Sequence, residues 1–400
     1  MPWLDASSLK RTIIRMSSAF QSKRILFFLP GSSVCENAIM ASQVLGLAKW
    51  LVKQGAKCLI MDKGMAGAMQ PGAPVPNKDG VDIFDDCLPR KRCHLPFVSR
   101  MFATIANEHI DIFRRFQPTH IYVRDYLSCL AIKNLARKFN AKLVYSVRGA
   151  DVEELLLNAG LKQRIQSLYV RVALRKAIRA CDHLNCVSNR LAELLFDRYH
   201  RNASVLPCCA GLDENDLNGV LKDHSERTIV YAGGLYSWQN FNEILQLMKG
   251  VKACDPGIKV KILTRDQNGL RKKCRAIGFP EEQWEGRSCR SEEVHRELEE
   301  SDVGVILRND IIVNNVASPI KLGEYLAAGL GIVVSPCIGD VGVLLQRAEF
   351  AKFYMPGDSM SDVASFVRGM STRKRLAARK FAIDHYTYSS NRAVLEQMFA

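Results

Sequence analysis

The sequence predicts an α/β protein made of two doubly wound, parallel-sheet domains facing across a cleft. Three observations carry this. Short apolar runs of strand length alternate with stretches of helical periodicity, which implies parallel sheets covered on both faces. The alternation occurs twice, on either side of a polar stretch at 210–226 that holds Asp213, Glu214, Asn215, Asp216, Asn218 and Gly219. The length, 400 residues, suits two domains at roughly 100–200 residues each. The expected domains are 1–215 and 216–400, with the last helix placed to cross back to the first.

The elements follow in order. Residues 24–29 read as a buried strand, 41–54 as a helix ended by Gly55, and 57–61 as the next strand. Residues 63–99 read as a long irregular loop rich in Gly and Pro, a kind that is functional or mobile as a rule. Helices at 101–116, 127–139, 164–180 and 190–199 then alternate with strands at 120–123, 143–147, 184–187 and 204–207. Ser188 is placed to cap the 190–199 helix. The second series has strands at 228–232, 259–263, 303–307, 332–335 and 350–354. Its helices are 241–249, 291–300, 319–328 and 361–370, and the basic stretch 373–380 reads as a solvated helical face. Upstream, Leu9, Ile13, Met16 and Phe20 share one face of an amphipathic helix over 6–21. That helix packs on the body or lies on a membrane surface.

Composition narrows the function. Hydrophobic residues at 48% and charged residues at 24% exclude wholesale disorder. No apolar run approaches the roughly 18–20 residues of a membrane span. The apolar run 25–29 after the basic stretch 10–24 is too short for a secretory signal, whose core needs about 7–15 residues. Thirteen scattered cysteines, with no C-x-x-C pair and no zinc spacing, read as free thiols in a reducing cytoplasm. The net charge of +15 is uneven, +13 over 1–215 and +2 over 216–400. The basic half attracts an anionic partner: a nucleic acid, a membrane surface or a phosphorylated substrate. No nucleic-acid motif accompanies the charge.

The segment with most chemistry is Asn314-Asn315-Val316-Ala317-Ser318-Pro319-Ile320-Lys321-Leu322-Gly323-Glu324-Tyr325-Leu326-Ala327-Ala328-Gly329. Ser318 suits the N-cap and Pro319 the first helical position. A helix start offers N–H groups and a positive dipole end, a ready phosphate site. Lys321 adds a full charge in that turn, and Glu324, one turn on, is placed to accept hydrogen bonds from a ribose diol. A capped surface helix with solvated Lys and Glu is the other reading. No Asp-x-Asp metal motif is present.

Ser-Pro-x-Lys-x-x-Glu-Tyr-Leu-Ala-x-Gly followed by an apolar strand resembles the donor-binding motif of GT-B-fold glycosyltransferases. The resemblance is greatest to the retaining, family-4-type enzymes that use nucleotide-sugar donors. Val230-Tyr231-Ala232-Gly233-Gly234-Leu235, then Trp238-Gln239, resembles the Gly-rich loop that opens their second Rossmann-like domain. Trp284-Glu285-Gly286-Arg287 resembles the segment that contacts the base, and Ser301-Asp302-Val303-Gly304-Val305 the strand after it. Ser146-Val147-Arg148-Gly149 and Cys186-Val187-Ser188 match in the first half.

The resemblance implies a nucleoside diphosphate-sugar co-substrate, no metal, and a saccharide or lipid-linked acceptor in surface polysaccharide or lipopolysaccharide synthesis. Gly233, Gly234, Trp238, Gly286, Arg287, Arg308, Ser318, Pro319, Ile320, Lys321, Leu322 and Glu324 are its implied donor residues. Gly31 and Ser32 fall in the loop that borders sugar and acceptor. Arg148 and Asp151, after a first-domain strand, are the candidate catalytic pair: Arg148 for an anionic group, Asp151 as a base. An Arg–Asp loop ion pair is the other reading. Val316 stands where the family commonly has a carboxylate, and Gly234 and Gln239 where it has cations. Lys321 and Arg308 are the implied replacement diphosphate ligands. His120 and His183 read as structural. The loop 89–100 interleaves Arg90, Lys91 and Arg92 with Leu95, Phe97 and Val98, which suits an anionic membrane surface, a polyanion or plain solvent. A cytoplasmic protein, peripheral on the inner face of the plasma membrane, is the expectation. An epimerase of the same fold and a non-catalytic binding module are the alternatives.

Overall fold

The computed structural model describes residues 19–29, 40–62, 74–76, 80–85, 107–157, 160–211, 217, 221, 226–289 and 291–400. Residues 6–18 of the expected first helix, the cations of the 89–100 loop, and Gly31 and Ser32 lie outside these. The chain divides into two compact units, Met1–Leu206 with Asn391–Ala400, and Pro207–Ser390.

The first unit is built on an eight-stranded sheet. Its strands are β1 (Arg24–Leu29), β2 (Lys57–Asp62), β3 (Pro74–Pro76), β4 (Asp82–Asp85), β5 (His120–Val123), β6 (Lys142–Ser146), β7 (His183–Cys186) and β8 (Ser204–Val205). They run in the order β3-β4-β2-β1-β5-β6-β7-β8, parallel throughout except for β3 against β4. After Arg24, β1 is a continuous apolar run, as both its faces are covered, and the polar pair buried in β6 and β7 is satisfied internally, Ser146 Oγ donating to Asn185 Oδ1 at 2.8 Å. Pro74–Pro76 and Asp82–Asp85 fall inside the stretch expected to be irregular. Each is too short, amid Gly and Pro, to show a period of its own. The helix expected over 41–54 divides into a π-helical turn, Ala41–Leu45, and an α-helix, Gly46–Lys53. The wide turn carries Gln43, a buried amide whose Oε1 accepts from the Arg148 guanidinium at 2.9 Å. Ser188 caps the Asn189–Tyr199 helix by accepting from the Leu191 N–H at 3.1 Å. The closing helix, Arg392–Met398, packs on β7 and β8.

The second unit holds a parallel six-stranded sheet in the order β11-β10-β9-β12-β13-β14. The strands are β9 (Thr228–Ala232), β10 (Lys259–Leu263), β11 (Glu285–Arg287), β12 (Val303–Ile306), β13 (Gly331–Val334) and β14 (Ala351–Phe353). Helices Phe241–Cys254, Gln267–Ala276, Ser291–Glu299, Ile320–Ala327, Met360–Arg368 and Thr372–His385 connect and cover them. Strand order reverses between β9 and β12. In doubly wound sheets, the crevice at such a switch point, beyond the strands' carboxyl ends, takes the ligand. The polar stretch expected to mark the boundary begins inside this unit. The Cys208 N–H donates to Ser318 Oγ at 3.1 Å and the Ala210 N–H to the Tyr386 carbonyl at 2.9 Å.

The basic stretch 373–380 is only partly a solvated face: the Arg373 and Lys380 side chains are exposed, but two of its arginines are not. Arg375 is 1% exposed and Arg379 4%. The Arg375 guanidinium donates to the carbonyls of Gly329, Glu299 and Ser301 at 3.0–3.3 Å. Arg379 donates to Ala327 O at 2.9 Å and to Glu299 Oε1 at 3.0 Å. These carbonyls close the ends of the Ile320–Ala327 and Ser291–Glu299 helices, where intrahelical donors run out. The two arginines therefore fix the rear of the helix that carries Lys321 and Glu324. Arg375→Met should lower the unfolding free energy by roughly 3 kcal/mol, since it strands buried acceptors. Urea unfolding of the intact chain measures this, and a loss under about 1 kcal/mol would mean that water reaches those carbonyls.

Candidate functional site

The switch-point crevice of the second unit is built from the ends of β9 and β12 and the start of the 320–327 helix. β9 delivers Tyr231 and then Gly233. Gly233 has φ +152°, and a Cβ there would lie 2.1 Å from Lys321 Nζ. A side chain at 233 would occupy the space of the Lys321 ammonium, so glycine is what admits that group. Lys321 Nζ donates to Gln239 Oε1 at 2.7 Å and lies 4.2 Å from the centroid of the Tyr231 ring. The Tyr231 hydroxyl is 2.6 Å from both Gln239 Oε1 and the Gly234 carbonyl, and its one proton serves one of them at a time. Gln239, where the resemblance implies a lost cation, thus contacts Lys321 through its amide oxygen.

Arg308 follows β12. Its N–H donates to Ser335 Oγ at 3.0 Å, and its guanidinium lies 4.6 Å from the Trp238 ring centroid. Cation–π contact and a 3.4 Å bond to the Trp238 carbonyl orient it. Tyr325, on the 320–327 helix, accepts from the Ala232 N–H at 2.8 Å, which ties that helix to the end of β9.

Electrostatics make these groups one system. Burial, then Arg308, pushes the Lys321 ammonium well below the ordinary lysine range, against the pull of Glu324. Burial brings the Glu324 carboxyl up to about 7, partly offset by Lys321. Arg308 is lowered to about 10 by burial. Two cations are held in a region that disfavours charge, with one carboxylate beside them. Such a cluster gains most from a dianionic ligand, which would favour the charged form of Lys321 and offset the charge of Arg308.

Ser318 is not the N-cap. Pro319 takes that position, no side chain caps the Ile320–Ala327 helix, and Ser318 Oγ is engaged by the Cys208 N–H. The helix starts one residue later than expected because the proline's extended backbone, ψ 123°, precedes the first turn. Ile320, Lys321 and Leu322 thus form the first turn. Trp238 is 47% exposed and stacks on Tyr236, 61% exposed, with rings 14° from parallel. Gly234 abuts that Tyr236 ring, which a Cβ would meet at 2.4 Å. Gly286 and Arg287 lie in β11. Arg287 does not join Lys321 and Arg308 as a free cation: it is ion-paired to Glu285, and to Glu297 at 2.7 Å. The buried indole N–H of Trp284, beside Gly286, has no hydrogen-bond partner among the described residues.

In the first unit, Arg148 follows β6 and is bonded to Gln43, as above. Asp151 is not in a loop but opens an unexpected short helix, Asp151–Leu156. Its carboxyl is raised to about 7 by burial, then by Glu154, Asp125 and Glu153. It has no ion-pair partner among the described residues, so the loop ion pair is not formed by its carboxylate. The histidines are structural. His120 contacts Thr119 Oγ1 and the Ala400 carbonyl, and burial lowers it to about 4; His183 contacts Ser204 Oγ at 2.8 Å. Among the described residues no three His, Cys, Asp or Glu side chains converge as a metal site. Tyr231, Gln239 and Tyr325 are the site residues that periodicity hides, because each reads as core or loop.

The architecture is that of the GT-B fold. Sucrose-phosphate synthase from Thermosynechococcus elongatus superposes with TM-score 0.68 at 9% identity, over 94% of this chain and 98% of that one. A glycosyltransferase from Rickettsia africae gives 0.62 at 14% identity, over 94% and 98%. Anabaena Alr3699/HepE in complex with UDP and glucose gives 0.61 at 12% identity, over 94% and 99%. No curated protein matches the sequence. Residues 40–214 match the model of Glycosyltransferase Family 4. The match covers less than half of the chain and lies mostly in the first unit, and the solved structures share the fold.

Proposed function

We propose that the chain transfers a sugar from a nucleoside diphosphate-sugar to a saccharide or lipid-linked saccharide acceptor, in the building of a surface polysaccharide. The observation that carries this is Lys321. A partly buried ammonium, held by Gln239 and the Tyr231 ring beside Arg308 and Glu324, suits a diphosphate with a ribose diol one helical turn away. UDP and glucose are named in the HepE structure, which supports a nucleotide-sugar donor here.

In this reading Lys321, Arg308 and the first-turn N–H groups of the 320–327 helix take the diphosphate and stabilise it as it departs. Glu324 accepts from the ribose hydroxyls. The unpartnered Trp284 N–H and the Gly286 backbone border the base. Arg148 takes an anionic group of the acceptor. Asp151, with a carboxyl near neutrality, is poised to accept the acceptor's proton. Transfer is retaining, by front-face substitution: the acceptor oxygen bonds to the anomeric carbon as the bond to the diphosphate breaks, and the acceptor's proton passes to Asp151. The protein works at the inner face of the plasma membrane, where lipid-linked acceptors are carried.

The test is a metal-free titration with UDP-, GDP-, CMP-, ADP- and dTDP-sugars, followed by thermal stability. A donor at about 100 times its dissociation constant should add roughly 2.7 kcal/mol. A shift for one nucleotide identifies the donor. No shift for any would favour a non-catalytic binding module.

A further inference from the structure

The longest helix of the first unit, Leu161–Ala180, has two apolar faces. Ser167, Val170, Ala173, Leu174, Ala177 and Ile178 form one, buried against the helices Tyr126–Lys138 and Asp151–Leu156. The other is open: Leu161 is 78% exposed, Leu168 64%, Val172 51% and Ile165 49%. At about 100° per residue these four fall within a narrow arc opposite the buried face. One burial face explains a surface helix, and a second, exposed one calls for a partner.

The charges say which partner. The helix holds Lys162, Arg164, Arg171, Arg175, Lys176 and Arg179 and no acidic residue. None of these cations has an ion-pair partner among the described residues. Arg164, Arg171 and Arg175 flank the open stripe on one side, and Lys162 and Lys176 on the other. An apolar stripe bordered on both sides by unpaired cations matches the boundary of an anionic bilayer, with acyl chains beneath and phosphate head groups around.

We propose that the exposed face of the 161–180 helix docks this chain on an anionic lipid surface. Leucine and valine side chains enter the acyl boundary, and the flanking cations pair with head-group phosphates. The long basic side chains reach up and outward while their methylenes extend the apolar stripe. The docking rests on the reading that the acceptor is carried at a membrane, and donor binding in the same samples separates the two.

The experiment uses the intact chain and vesicles of phosphatidylcholine with or without about one-third phosphatidylglycerol. Two triple variants are compared, Leu161→Ser with Leu168→Ser and Val172→Ser, and Arg171→Ser with Arg175→Ser and Lys176→Ser. All six positions are exposed, so the fold and the thermal shift with donor should be kept. The expected result is co-sedimentation with anionic vesicles that falls about tenfold or more in each variant, since each cation near the surface adds several-fold. Wild-type-like vesicle binding by both variants overturns the proposal, as does a wild-type chain that ignores anionic vesicles. A dimer that the leucine variant turns to monomer, with vesicle binding unchanged, gives the face to a second copy and also overturns it.

Discussion

Lys321→Ala should weaken nucleoside diphosphate binding by about 100-fold, or about 3 kcal/mol, the usual loss when one partner of a buried charge pair is removed. Isothermal titration with the nucleotide that gives the thermal shift measures it. An unchanged dissociation constant would defeat the phosphate role. The pH dependence is a sharper test. In the free protein, burial and Arg308 hold the Lys321 ammonium well below the ordinary lysine range. A diphosphate binds the charged form, so binding takes up a proton once pH exceeds that depressed value. Affinity should therefore fall at a pH where an ordinary lysine would still be fully charged. Lys321→Arg, which stays protonated, should bind without that alkaline decline. A wild-type affinity flat to the ordinary lysine range would mean that Lys321 does not meet the phosphates.

Glu324→Gln is expected to cut turnover by about 100-fold or more, since two hydrogen bonds from a diol to a charged acceptor are worth roughly 1.5–3 kcal/mol each. Near-normal turnover would remove the ribose assignment. Stability should move the other way. The Glu324 carboxyl sits at about 7 against an ordinary 4.5, so the folded state holds its proton more tightly than the unfolded chain. Its contribution is complete below the ordinary value and is lost as pH rises from there towards about 7, above which the loss is constant. Glu324→Gln should flatten that slope and leave the unliganded chain no less stable at pH 8. Asp151, also raised to about 7, gives a slope of the same sign that persists in the variant. Unfolding free energies across this range resolve the two.

The strands were the legible part. Residues 24–29, 228–232 and 259–263 end where the sequence puts them: the first two are apolar runs buried on both faces, and the third keeps Val260, Ile262 and Leu263 in the core while Lys261 pairs with Glu297. The Gln267–Ala276 helix was invisible for the converse reason: only Leu270 and Cys274 are buried, and Gly269 lies in its first turn. The 151–156 helix is too short to show a period. In the site, the motif marks Lys321 and Glu324, and the resemblance points to Arg308. It does not show what aims them. By sequence Gln239 is a missing cation, and only its contact with Lys321 gives it a part. Ser318 has the composition of a cap and is used elsewhere, by an N–H that lies 110 residues away in sequence. Arg375 and Arg379 look like solvent-facing charges until their carbonyl acceptors are seen. Tertiary partners of this kind leave no trace in local periodicity.

The return of Asn391–Ala400 to the first unit bears on how the chain is made. Phe399 is 1% exposed, packs 5.8 Å from the His120 ring, and completes a core begun by residues far upstream. Arg392 donates to Gln54 Oε1 at 2.7 Å, and Lys142 Nζ to the Ala400 carbonyl at 2.9 Å. On a ribosome, residues 1–206 emerge before Asn391–Ala400, which complete their unit, whereas all of Pro207–Ser390 precedes residues 391–400. The unit begun second is thus the one able to finish first. Removing residues 391–400 should leave a nascent-like chain whose second unit resists protease while the first stays open to it.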